Sequence, residues 1–297
     1  MDRRQLRALL ILLLTSAIWG FAFAAQREAS KYLEPFSFGA SRFLLGAAAL
    51  YPIARLRDKK NGLKPINRRD MLSGTIVGAV LFVASTLQQK GIGMTSAGQA
   101  GFLSAMYVVL VPVIGAFFGR KTGRTTWLSL LLSVPALYLL CMKDEGFSLG
   151  EGDAWLLSSA IFWALHILVT DRLVKTSDPT HLCVAQFLSC GLLNLIAALL
   201  FEHTSISALV NALFPILYVG VCSTAVAYTL QAVGQRDAKP AHAALVLSME
   251  SVFSVIGGAL FLGEQMGGGA LVGCALMLSA VILSQLGTKE KGESLDV

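Results

Sequence analysis

The stretch ALLILLLTSAIWGFAFAAQ, residues 8–26, contains no charged side chain and is almost entirely apolar. A bilayer core about 30 Å thick is crossed by about 20 residues of α-helix, because each residue adds about 1.5 Å along the axis. The stretch therefore predicts a membrane-spanning helix near the start of the chain.

Comparable apolar stretches follow along the whole chain and are separated by short polar segments. Hydrophobic residues make up 55% of the 297 positions, charged residues only 14%, and the mean hydropathy is +0.67. Soluble domains carry about 25% charged residues. The stretches lack the alternation of a membrane β-barrel, so helices remain as the way to pair the backbone in lipid. We predict an all-α integral membrane protein with ten transmembrane helices at about residues 8–26, 36–55, 71–90, 98–118, 126–142, 154–171, 182–201, 212–233, 241–262 and 268–286.

Short motifs recur at a constant offset of 143 residues. Thr15–Ile18 has its counterpart in Ser158–Ile161, and Thr86–Gln88 has its counterpart in Thr229–Gln231. The recurrence predicts two five-helix repeats, residues 1–145 and 146–297. Because five is odd, the second repeat would enter the membrane in the opposite sense to the first. Such inverted repeats recur among secondary transporters, in which the substrate site lies between the two halves.

Positive charges fall mostly on one side of this predicted topology. The first residues, the segment 55–69 and the segment 120–124 hold most of the 24 Lys and Arg residues, and all lie on the side of the N-terminus. Cytoplasmic loops carry such an excess, so both termini are predicted to be cytoplasmic. This excess explains most of the net charge of +6 without a nucleic-acid partner. The sequence leaves a monomer and a homodimer equally open.

Polar and aromatic side chains inside the spans are the candidates for a substrate site. Glu250 lies near the middle of the predicted ninth span, where an ionisable group usually faces a cavity or a partner. It is our candidate for proton coupling or for binding a substrate amine. The alternative is a glutamate hydrogen-bonded between helices for packing. The full candidate set for a substrate-binding cavity is Trp19, Gln88, Tyr107, Trp163, His166, Tyr228, Gln231 and Glu250.

Two further charges are predicted to have a structural or pairing role. Arg42 lies a few residues inside the predicted second span, where its long side chain can pair with an acid or extend to the membrane surface. Glu264 follows the predicted ninth span.

No motif indicates catalysis or a bound cofactor. The chain has no G-x-x-x-x-G-K-[ST] phosphate loop, no H-E-x-x-H and no G-x-S-x-G, and its five cysteines lack metal-ligand spacing. We therefore predict no catalytic residue, no metal site and no cofactor. Two alternatives belong to other classes. The missing motifs argue against an intramembrane enzyme. The short connecting segments argue against a receptor, because they leave no room for a signalling domain.

Several short motifs occur in a characteristic order along both halves. They are Ile18–Gly20, Ser41–Leu45, Thr95–Ala97, Gly101–Leu103, Tyr107–Pro112, Phe162–Leu165, Leu247–Glu250 and Leu262–Glu264. In this order, and with the duplicated five-helix pattern, the chain resembles the EamA-type proteins of the drug/metabolite transporter superfamily over nearly its whole length. Three positions depart from the family pattern, namely Ser251 in place of proline, Gly119–Lys121 in place of an acidic residue, and Pro135 in place of glycine.

The resemblance implies ten helices around a central cavity in a bacterial inner membrane, and transport of a small metabolite, often outward. Together with the residues, it predicts a secondary active transporter for an amino acid or similar metabolite, working by alternating access and with possible proton coupling. The alternative within transport is multidrug efflux of lipophilic cations, for which Glu250 would supply the counter-charge.

Overall fold

The computed structural model describes residues 3–119, 122–141, 150–265 and 267–289, and these ranges contain helices and no β-strand. The helices are α1 Arg3–Ala29, α2 Pro35–Asn61, α3 Arg68–Ile92, α4 Ala97–Ala105, α5 Tyr107–Phe117, α6 Arg124–Cys141, α7 Glu151–Leu173, α8 Pro179–Phe201, α9 Ile206–Asn211, α10 Leu213–Leu217, a π-helical segment Tyr218–Tyr228, α11 Thr229–Asp237, α12 Pro240–Leu247, α13 Glu250–Leu262 and α14 Gly268–Lys289.

Eight helical stretches in the described part of the chain are long and apolar enough to cross a membrane. They are Arg3–Ala29, Pro35–Asn61, Arg68–Ile92, Ala97–Phe117, Glu151–Leu173, Pro179–Phe201, Leu213–Asp237 and Pro240–Leu262, and each overlaps one predicted span. The helices α6 and α14 overlap the two other predicted spans, and Gly268–Ser284 forms a shorter apolar stretch. The fold is therefore that of a multi-pass membrane protein, whereas the count of ten spans stays a prediction.

Four helices, α1, α2, α3 and α7, extend further at both ends than the apolar runs from which they were predicted. The first span is predicted at 8–26, and α1 runs from Arg3 to Ala29. Hydropathy marks only the part of a helix that lies in hydrocarbon, whereas backbone hydrogen bonds continue into the polar region of the bilayer.

Two predicted spans are interrupted near their middle. The predicted helix 98–118 is divided at Met106 into α4 and α5, and the predicted helix 241–262 is divided at Ser248–Met249 into α12 and α13. Beside the second interruption, the hydroxyls of Ser248 and Ser251 donate hydrogen bonds to carbonyls three residues back, at 2.8 and 2.7 Å. Such hydroxyl bonds compete with the helix ladder and bend helices.

The main helix contacts connect the two predicted repeats. Helix α2 packs against α8, α3 packs against α7 and α8, and α1 packs against α13 and α11. Large apolar side chains such as Leu199 and Phe201 remain exposed on the outside of the bundle. An apolar outer surface of this kind suits a lipid environment.

Close approach of α3 and α8 depends on a glycine. A Cβ atom at Gly74 would lie 2.3 Å from the Ala185 Cβ and 2.6 Å from the Leu182 backbone oxygen. Neither atom belongs to a flexible side-chain end, so a larger residue at position 74 would force the two helices apart.

Replacing Gly74 by Ala should therefore destabilise the protein by about 1–3 kcal/mol, the usual range for overpacking. Thermal unfolding of the purified protein in detergent measures this change. Gly268→Ala is the matched control, because no atom of the described residues lies within 4 Å of its new Cβ, and its melting temperature should equal that of the wild type. Equal melting temperatures for both variants would contradict the close α3–α8 contact.

Candidate functional site

A cavity lies between the helices of the two predicted repeats. Seven of the eight candidate cavity residues line it, and His166 does not. The complete lining is Trp19, Phe23, Gln26, Arg42, Gln88, Tyr107, Trp163, Ile167, Ser223, Tyr228, Gln231 and Glu250.

One wall of the cavity is aromatic. The ring centroids of Trp19 and Tyr228 are 4.7 Å apart, and the rings of Trp163 and Tyr228 are stacked with centroids 6.3 Å apart. The indole Nε1 of Trp19 donates a hydrogen bond of 3.2 Å to the backbone oxygen of Ser223, which lies in the π-helical segment. The wall therefore offers flat apolar faces, and its Trp19 ring is held in place by the opposite repeat.

His166 is fully buried behind this wall rather than in the cavity. Its ring stands edge-to-face against Trp163 and Tyr228, with centroid distances of 5.7 and 5.9 Å. The prediction placed His166 in the cavity lining, and the lining does not include it. In this structure it supports the aromatic wall and has no surface toward the cavity.

Glu250 and Tyr107 meet across the cavity. The Tyr107 hydroxyl donates a hydrogen bond of 3.0 Å to the Glu250 Oε1, and both side chains are buried. The two residues are 143 positions apart, which is the offset of the sequence motifs. Each is the first residue of the helix that follows an interruption, Tyr107 in α5 and Glu250 in α13. Equivalent positions of the two predicted repeats therefore carry a tyrosine and a glutamate that bond to each other.

Two glutamine side chains bring amide groups to the cavity from α3 and α11. The Gln88 side-chain nitrogen donates a hydrogen bond of 3.1 Å to the Ser104 hydroxyl, and this bond fixes α3 beside α4. Gln231, at the equivalent position of the second predicted repeat, lines the cavity from α11. The amide groups add neutral donors and acceptors to a lining that also contains charge.

The expected pairing of Arg42 with an acid is not found in the described residues. Arg42 is only 2% exposed, so it does not extend to the membrane surface either. Its Nη1 donates a hydrogen bond of 3.0 Å to the Gln26 Oε1, and its guanidinium carbon lies 4.4 Å from the centre of the Phe43 ring. The side chain therefore points inward, and this direction could not be read from depth in the span alone.

Glu264 lies where the end of α1 meets the start of α4. It makes an ion pair with Arg27 and accepts a hydrogen bond of 3.0 Å from the Ala97 backbone nitrogen. The contact lies outside the cavity, at the end of the bundle where α1 ends and α4 begins. It joins the two predicted repeats at that end.

A second group of polar contacts lies at the opposite end of the bundle and was not anticipated from the sequence. The His181 ring nitrogens lie 2.8 Å from the Asp58 Oδ2 and 3.2 Å from the Asp70 Oδ2. Arg57 contacts Asp178 at 2.8 Å. Ionisable residues at the ends of three neighbouring spans were the available signal, but sequence alone does not show which ends meet.

No group of three potential metal ligands occurs within the described ranges. The cavity instead combines aromatic faces, neutral amides, one buried guanidinium and one buried carboxyl group. This set of groups can bind a small polar molecule that has an apolar part.

Comparison with known proteins gives consistent matches over both halves. Residues 6–142 and 150–286 each match the profile of the EamA-like transporter family. An uncharacterized transporter of Archaeoglobus fulgidus is 29% identical over 95% of this chain and 87% of its own length. The uncharacterized transporter YwfM of Bacillus subtilis is 24% identical over 95% of each chain. A solved crystal structure with 16% identity covers 94% of this chain and 98% of its own, with a TM-score of 0.76, and shows the same fold.

The Tyr107–Glu250 hydrogen bond should be measurable as coupling in a double-mutant cycle. Tyr107→Phe and Glu250→Met each remove one partner, so their effects on the free energy of unfolding should be non-additive by about 0.5–3 kcal/mol. Tyr218→Phe is the control, since its hydroxyl bonds to the Ile18 backbone oxygen away from the cavity lining. Its effect should add to that of Glu250→Met, and additivity in both cycles would contradict the contact.

Proposed function

This chain belongs to the EamA-like transporter family, and from that premise we propose that it is a secondary active transporter for an amino acid or a similar small metabolite. The observation that carries the proposal is the cavity between the two halves, in which Glu250 and Tyr107 meet beside an aromatic wall. A chain of this composition has its polar groups at membrane depth only where they have a partner or a cavity to face.

The proposed architecture is a pair of inverted five-helix repeats, residues 1–145 and 146–297, with ten spans in all. Support comes from the 143-residue offset, from the two family matches on successive halves, and from the interruption of equivalent helices at the cavity. Interrupted helices at a repeat interface are typical of transporter binding sites. Two similar bundles in opposite orientation can exchange conformations, so the cavity would open to one face at a time.

The contacts at the two ends of the bundle fit this cycle. The Arg27–Glu264 pair joins the repeats at one end, and the contacts of His181 with Asp58 and Asp70 join them at the other. In the proposed cycle each set breaks in turn, while the other keeps the opposite face closed.

The proposed substrate carries both polar groups and an apolar part. The lining combines both kinds of group, since aromatic rings lie beside amide, guanidinium and carboxyl groups. The aromatic wall would take the apolar part, and Gln88, Gln231 and Glu250 would take polar groups. We propose outward movement across a bacterial inner membrane, with Glu250 as the group that exchanges protons during the cycle.

Efflux of lipophilic cations is the second candidate function. The aromatic wall and the buried carboxyl group of Glu250 favour it, since both attract organic cations. The guanidinium of Arg42 in the same lining opposes it, because a cation would meet a like charge there. Transport of each class by the purified protein in liposomes separates the two candidates. Family membership and the names of the relatives point to transport rather than to an enzyme.

Both termini are proposed to be cytoplasmic, and labelling of single cysteines tests the orientation. Lys60→Cys and Lys239→Cys should react with a membrane-impermeant maleimide only from the cytoplasmic side, and Lys31→Cys and His203→Cys only from the outside. All four positions are exposed, so lack of access would not explain a failure to react. Labelling of positions 60 and 239 from opposite sides would refute the topology.

Glu250→Gln should abolish proton-driven uptake in inside-out vesicles, because the amide cannot bind and release a proton. The matched control is Glu151→Gln, an exposed glutamate at the start of α7, and it should transport as the wild type does. Thermal unfolding of both variants verifies that they are folded. Full proton-driven uptake by folded Glu250→Gln would remove the coupling role and leave transport itself in place.

A further inference from the structure

Arg42 is a buried cation for which the described residues supply no counter-charge in direct contact. Its side chain is 2% exposed and lines the cavity, and no Asp or Glu forms an ion pair with it in the described ranges. Its Nε atom is buried and has no hydrogen-bond partner. A fully buried arginine in natural proteins is nearly always paired, so this one needs an explanation.

The groups that do contact Arg42 are neutral. Gln26 accepts one hydrogen bond at 3.0 Å, and the rings of Phe43 and Phe38 face the guanidinium at 4.4 and 5.5 Å. Gln26 is itself fixed, because the Gln89 side-chain nitrogen donates a hydrogen bond of 3.0 Å to its backbone oxygen. These neighbours hold the guanidinium in one place at the edge of the cavity, yet they do not neutralise its charge.

The one carboxyl group in the cavity lining has a different partner. Glu250 accepts its hydrogen bond from Tyr107 and makes no ion pair with Arg42. The cavity thus presents a cation held by α2 and a carboxyl group held by α13, with the aromatic wall of Trp19, Trp163 and Tyr228 in the same lining.

We propose that Arg42 binds the carboxylate, or an equivalent small anionic group, of the transported molecule. The inference rests on the proposed transport function and specifies what its substrate must carry. Guanidinium groups bind carboxylates through two parallel hydrogen bonds, which fix the orientation of the ligand as well as its charge. In a molecule that also has an amino group, that group would face Glu250, and the apolar part would face the aromatic wall.

A substrate-binding arginine and a structural arginine differ in how removal of their charge changes the stability of the substrate-free protein. A charge that packs the fold together lowers stability when it is removed. A buried charge that is paired only when a ligand binds lowers the stability of the substrate-free protein. Its replacement by an uncharged residue should therefore leave the stability unchanged or increase it. Arg42→Gln keeps a polar side chain at this position and removes the charge.

The experiment measures thermal unfolding of the purified protein in the presence of three sets of probe molecules. Each molecule of one set has a counterpart with the same side chain in the other two sets. The sets are L-amino acids, the corresponding primary amines that lack the carboxylate, and the corresponding carboxylic acids that lack the amine. Each is tested on the wild type, Arg42→Gln, Arg42→Lys and Arg55→Gln. Arg55 is an exposed arginine on the same helix and is the matched control.

Empty Arg42→Gln should melt no lower than the wild type. Carboxylate-bearing probes should stabilise the wild type and Arg55→Gln, bind Arg42→Gln at least about tenfold more weakly, and bind Arg42→Lys with intermediate affinity. An empty Arg42→Gln protein that melts clearly below the wild type would overturn the proposal. Equal binding of the carboxylate-bearing probes to the wild type and Arg42→Gln would also overturn it, whereas the amines that lack a carboxylate should bind these two proteins with similar affinity. Uptake of the probe that binds most tightly is then measured separately in liposomes. Binding of carboxylates through Arg42 without uptake would refute the transport function and leave the role of Arg42 in place.

Discussion

Hydrocarbon offers no hydrogen bonds, and the whole arrangement of this protein follows from that constraint. Every backbone polar group in the spans must be paired within the chain, so the described residues form helices and the connections lie at their ends. The same constraint sorts the side chains. Leucines and phenylalanines cover the outside, and nearly all polar groups at membrane depth lie against another helix or in the central cavity. A polar cavity can exist at this depth only because the two halves enclose it.

This constraint also explains how much could be predicted from the sequence. Long apolar runs located the helices, and amide, aromatic and carboxyl groups inside those runs located most of the cavity lining, including Gln88, Gln231 and Glu250. The hydropathy pattern gives the depth of a residue along a helix, which is a one-dimensional quantity. It could not give the direction in which a side chain leaves the helix, and this direction separates His166, which lies behind the wall, from Arg42, which lies in the cavity.

Helix interruptions were missed for a related reason. Hydropathy is averaged over a window of about 20 residues, whereas the breaks at Met106 and Ser248 depend on local hydrogen bonds and on contacts with other helices. The same holds for the π-helical segment, which places the Ser223 backbone oxygen within reach of Trp19. The offset of 143 residues was visible in short motifs, but its most specific consequence, a hydrogen bond between the equivalent residues Tyr107 and Glu250, needed coordinates.

The two predicted repeats contribute different side chains to the cavity, and this difference has physical consequences. Equivalent positions of the two predicted repeats carry Tyr107 and Glu250, and likewise Phe23 and His166, so the two halves contribute different groups. Two halves with identical groups would offer two equivalent binding orientations, and two facing carboxylates would repel each other. A tyrosine opposite a glutamate gives a favourable hydrogen bond instead, and a single buried guanidinium on α2 gives the cavity one cationic end. In the proposed cycle, a similar backbone in the two predicted repeats would keep the two conformations close in energy, and unlike side chains would give the substrate one orientation in both.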